Sequence, residues 1–66
     1  MWTTIFIVHS RQTVLAARTL LENARVICKI KPVGETKNAD DTSFYEILVP
    51  GAEVQKAHTL LIANGY

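Results

Sequence analysis

Two eight-residue segments forty positions apart constrain this chain more than any other feature. Val14-Leu-Ala-Ala17-Arg-Thr19-Leu20-Leu21 aligns with Val54-Gln-Lys-Ala57-His-Thr59-Leu60-Leu61, and five of the eight positions are identical. In each, the apolar residues recur at three- and four-residue steps, the period of an amphipathic helix. At nearly the same offset, Phe6-Ile7-Val8 matches Ile47-Leu48-Val49. Each half therefore reads as a strand followed by a helix. Duplication of one unit explains the match; so does the small set of apolar residues from which any amphipathic helix is drawn.

The remaining elements fall around these two halves. Trp2–Val8 is β-branched and aromatic and reads as a strand. Ser10 is placed to cap a helix over residues 11–24. Residues 26–31 alternate and predict a second strand, which Pro32 should end. Gly34, Asn38, Asp40 and Asp41 mark residues 33–42 as a polar loop. Residues 44–49 form the third strand, broken at Pro50-Gly51. A second helix over residues 52–64 follows, with Gly65 at its C′ position.

The order βαββα predicts an α+β fold, a single ferredoxin-like domain over residues 1–66. Right-handed crossovers place both helices on one face of the sheet. A hairpin joins strands two and three, and a split βαβ arrangement puts strand three between strands one and two, giving the order 1-3-2. Strand three is expected to be the parallel neighbour of strand one, which makes the sheet mixed. The repeat sets the facing: Phe6, Val8, Val26, Cys28, Ile30, Tyr45, Ile47 and Val49 under the helices. The other face then carries Ile5, Ile7, Ile27, Lys29, Lys31, Phe44, Glu46 and Leu48.

Composition limits function. The chain has 66 residues, 48% of them hydrophobic, a formal net charge of +1 and one cysteine. That hydrophobic content argues against disorder, and one cysteine supports neither an internal disulfide framework nor a multi-cysteine zinc site. No apolar run approaches the roughly 20 residues that cross a bilayer, and residues 1–8 lack the basic region of a signal peptide. A cytoplasmic protein of bacterial type, without membrane association, is expected. At this length, burial and chain entropy nearly cancel, so self-association is a plausible source of stability.

Several groups were weighed as candidate sites. His9, Ser10 and Arg11 stand at the turn into helix one, and Gly51 at the turn into helix two. With parallel strands, both helix N-termini would share one end of the sheet and could hold an anion or small ligand; the plainer reading is a serine cap between solvated neighbours. No phosphate-loop or dinucleotide motif is present, and no cofactor is expected. Cys28 points inward as a small inert hydrophobe. His9 and His58 share no ligand spacing, so no metal site is expected, and no nucleophile–base pair suggests an enzyme. Asp40 and Asp41 read as solvated loop residues. Arg11, Arg18 and Arg25 recur every seven residues along helix one. Glu22 interrupts that stripe and Lys29 and Lys31 lie across the sheet, so nucleic acid is not the expected partner.

The helix with its small Ala17, then Tyr45-Glu46-Ile47-Leu48-Val49-Pro50 leading into a helix with Ala57 and Leu60-Leu61, resembles a family of small bacterial proteins assigned to signal transduction and similar in fold to PII regulators. The resemblance covers nearly the whole chain. It implies a regulatory role and makes residues 33–42 a target-contacting loop. The chain is more weakly similar to small selenium or sulfur carriers, whose cysteine before strand three has no counterpart in Asp41-Thr42-Ser43-Phe44.

Two functions remain open on the residues. The first is a non-enzymatic regulatory or protein-interaction module. It would self-associate through the unblunted edge of strand one or through an apolar face made of Ile5, Ile7, Ile27, Phe44 and Leu48. The second is a small-ligand or anion binder at His9, Ser10, Arg11 and Gly51. A monomer whose open face is capped by Trp2 or Tyr66 is the plain alternative to self-association.

Overall fold

The computed structural model describes residues 1–34 and 44–66. The order is β1 (Trp2–Val8), α1 (Arg11–Asn23), β2 (Lys29–Val33), β3 (Phe44–Pro50) and α2 (Val54–Ala63), with a 3-10 turn at Gly51–Glu53 leading into α2. The three strands form one sheet in the order β1-β3-β2.

Both ladders are antiparallel. Trp2 faces Pro50 and Val8 faces Tyr45 across β1 and β3, while Lys29 faces Leu48 and Val33 faces Phe44 across β2 and β3. This corrects the expected mixed sheet, in which strands one and three run parallel. The reason is topological. A hairpin makes β3 antiparallel to β2, and the helical crossover makes β2 parallel to β1. A strand lying between them is antiparallel to both.

The facing survives this correction, because strand alternation has a period of two whatever the direction. Val26, Ile47 and Val49 are fully buried together with Val14, Ala17 and Leu21 of α1 and Ala57 and Leu61 of α2. Phe6, Val8, Cys28, Ile30 and Tyr45 pack around them. Both helices thus cover the same face of the sheet. Each fully buried Val, Leu or Ile contributes about 1.5–3 kcal/mol.

Two local departures matter. The β1–β3 register shifts between Thr4 and Phe6, so Ile5 is the extra residue of a bulge. Ile5 packs against the core, which removes it from the open face expected for it. Strand β2 starts at Lys29 rather than Val26 and runs through Pro32. As an edge strand it tolerates a residue without an N–H, because that side of the chain faces away from the ladder. Ile27 consequently precedes the strand and is 69% exposed.

The helix ends repeat one another. Ser10 is the N-cap of α1, its Oγ accepting from the Thr13 N–H at 3.1 Å. At the other end, the Val26 N–H donates to the Leu21 carbonyl at 2.9 Å and the Arg25 N–H to that of Glu22 at 2.9 Å. The Tyr66 N–H donates to the Leu61 carbonyl at 2.9 Å and the Gly65 N–H to that of Ile62 at 3.1 Å. Both patterns are Schellman motifs, forty residues apart like the helical segments. Both C′ residues have positive φ, 87° at Gly65 and 62° at Arg25. Only glycine adopts that conformation without cost, a side chain costing roughly 1–2 kcal/mol. Arg25→Gly is therefore expected to stabilise the protein by about 1 kcal/mol and Gly65→Ala to destabilise it by about the same. Urea denaturation of the two variants measures both, and opposite signs are the test.

Candidate functional site

The antiparallel β1–β3 ladder decides the first candidate. His9, Ser10 and Arg11 follow the C-terminal end of β1, whereas Gly51 lies beside its start and donates its N–H to the Met1 carbonyl at 2.7 Å. Six residue steps of strand, about 20 Å, separate the two turns. The structure does not bring these four residues together, so two helix N-termini do not converge there. The Ser10 hydroxyl is engaged in the α1 cap. The His9 ring lies 4.8 Å from that of Phe44, tilted by 57°.

The second candidate is the sheet face away from the helices. Residues directly opposed across antiparallel strands share a face. Thr4, Leu48 and Lys29 therefore form one row, and Ile7, Glu46 and Lys31 another. The Thr4 hydroxyl donates to Glu46 Oε1 at 2.8 Å, holding the carboxylate down on the sheet. Lys29 Nζ sits 4.1 Å from the centre of the Trp2 ring, a cation–π contact worth about 0.5–1 kcal/mol at an exposed site. Trp2 and Ile7 are exposed, and Phe44 and Leu48 half-buried. Of the five residues expected on this face, Ile7, Phe44 and Leu48 line it, while Ile5 and Ile27 depart as described. Trp2 joins it, a place that the strand period makes legible once the bulge is known. Tyr66 does not. Its ring meets Phe6 edge-on at 5.7 Å, on the helical side.

The remaining groups are separate from this face. Arg18 forms an i,i+4 pair with Glu22, with Nε 4.0 Å from Oε1. Arg25 has its backbone N–H in the turn that ends α1 and its side chain exposed. A shallow groove of about 590 Å³ runs between Ala24 and the flank of α2 bearing Lys56, Leu60 and Ala63. His58 is exposed. Among the described residues, no three of His, Cys, Asp and Glu come together as a metal set, and no helix is long and apolar enough to cross a membrane. The carboxylates Asp40 and Asp41, and the contact loop expected at residues 33–42 apart from Val33 and Gly34, lie outside the described residues.

No family model matches the sequence, and neither a curated protein nor a solved structure matches the chain.

Cys28 is half-buried against the core. Burial pushes its thiol up, the Glu22 carboxylate adds to that, and Arg18 opposes it. The thiolate is the reactive form, so Cys28 is expected to alkylate more slowly than a free cysteine at neutral pH. Glu22→Gln should lower the thiol's pKa and speed the reaction. A pH–rate profile with iodoacetamide reads both, and a rate matching free cysteine would contradict this account of the site.

Proposed function

We propose that this chain is a non-enzymatic protein-interaction module that self-associates through the β1 edge and the adjoining open face of its sheet. The observation carrying this is where the exposed large hydrophobic residues lie. Among the described residues, four of the six lie at β1: Met1, Trp2 and Ile7 belong to it or precede it, and Tyr66 packs on Phe6 of β1, while Ile62 is on α2 and Ile27 stands apart, before β2. Scattered apolar side chains need no explanation, but a set gathered along one element marks a contact surface. The βαββα order, the strand order β1-β3-β2 and the two helices on one face are compatible with a ferredoxin-like module in which β1 is an edge strand. A regulatory role of the PII-like kind belongs to the same reading and rests on the resemblance of the sequence.

A second copy could supply the missing cover. The balance between burial and chain entropy favours such an arrangement in a chain of this length. A dimer is therefore expected in sedimentation equilibrium. Ile7→Lys should weaken it by tenfold or more, since an isoleucine is worth about 1.5–3 kcal/mol when buried and tenfold corresponds to about 1.4 kcal/mol. A chain that sediments as a monomer at every accessible concentration would exclude self-association.

A further inference from the structure

We infer that two copies join by pairing β1 with β1 around a two-fold axis, giving a closed six-stranded sheet. The inference rests on the self-association proposed above and selects its geometry. The two edges of the sheet are unlike. Edge strand β2 carries Pro32, which has no N–H, between Lys31 and Val33, with Lys29 two residues further back. Proline and lysine are the residues that keep an edge from pairing with another chain. Edge strand β1, Trp-Thr-Thr-Ile-Phe-Ile-Val, has neither. Its one blunting feature is the bulge at Ile5.

The apolar side chains single out the same edge from both sides. Trp2 and Ile7, the latter 61% exposed, flank it on the open face. Tyr66 flanks it on the helical side, held against Phe6. Ile62 is 58% exposed. It stands about 200° around α2 from Leu60, and Leu60 lines the groove toward Ala24 of α1. Ile62 therefore lies on the flank of α2 turned away from α1, and Tyr66 pins the end of that helix to β1. Stacking two open faces would cover Trp2 and Ile7 but leave Ile62 and Tyr66 in water. It would also bury Lys29 and Lys31 against like charges or apolar side chains. Edge pairing covers the apolar residues on both sides of the strand, leaves Lys31 at the far edge and keeps the Lys29 ammonium on the open face, over the Trp2 ring. Together with the strand itself, these side chains would bury on the order of 1,000 Å², the lower bound for a specific interface.

Pairing like edges is isologous and stops at two copies, whereas pairing β1 with β2 of the next copy would continue as a filament. The proline and lysines of β2 block that second mode. The difference between the edges thus sets the size of the assembly as well as its interface.

Amide hydrogen exchange on the full chain, dilute and concentrated, tests the geometry alongside sedimentation. A dimer in which β1 amides slow by about tenfold or more on concentration, while those of β2 do not, is the expected result. A dimer without added protection in β1 would overturn edge pairing and leave self-association standing. A monomer throughout would remove both. The double variant Lys31→Thr/Pro32→Val unblocks β2 and is expected to assemble beyond the dimer. If it remains a dimer, the blocking role assigned to these two residues is wrong.

Discussion

The rest of the molecule depends on β3, the strand with a neighbour on each side. It pairs with β1 and β2 and gives the core Ile47 and Val49, both fully buried. Its direction follows from its two connections, a hairpin from β2 and the helical crossover that precedes β2. Because β3 is antiparallel to β1, the turn before α1 and the turn before α2 lie at opposite ends of the sheet. One relation of direction therefore separates His9, Ser10 and Arg11 from Gly51. It leaves the sheet's open face and its edges as the surfaces with chemistry to offer.

Those surfaces divide by residue type. On the open face, Glu46 is tied to Thr4 and Lys29 rests on Trp2. Along β1, the side chains without cover are apolar, Trp2 and Ile7. The repeated halves of the chain show why. Each supplies a strand, a helix with buried alanine and leucine at equivalent positions, and a Schellman turn that returns the chain to the core. After α1, that turn leads through the buried Val26 into β2. After α2, it brings Tyr66 back onto Phe6 of β1. Among the described residues, β3 is flanked on both sides and β1 is an edge.

Much of this fold was legible in the sequence. The helical spacing of Val14, Ala17 and Leu21 and of Val54, Ala57 and Leu61 located both helices and their buried faces. The repeat, aligning Phe6 and Val8 with Ile47 and Val49, set the core side that alternation alone leaves open in β1, and Ile30 and Tyr45 fall on that side too. The parallel direction expected of strands one and three is wrong, although the hairpin and the crossover together already imply the antiparallel one. The bulge at Ile5 was illegible because no glycine or proline marks it. It appears only in the pairing, where the seven residues of Trp2–Val8 oppose the six of residues 45–50, which single-strand alternation cannot register. Pro32 reads as a strand terminus in the sequence, but β2 runs through it, because its tolerance depends on which edge it occupies, a property of the whole sheet. The anion site failed with the strand direction on which it rested. The open face was legible in its middle, at Ile7, Phe44 and Leu48, and misplaced at Ile5 and Ile27, where regular alternation breaks down.

The central claim is that β1 is completed by β1 of a second copy. An isotope-filtered nuclear Overhauser experiment on a mixture of labelled and unlabelled chains tests it most directly, since it records only contacts between copies. The account predicts intermolecular backbone contacts between residues of β1 in the antiparallel pattern, accompanied by contacts from Ile62 or Tyr66 to the partner copy. Intermolecular contacts confined to Lys29, Lys31 and Leu48 on the open face, or none between β1 strands, would contradict it.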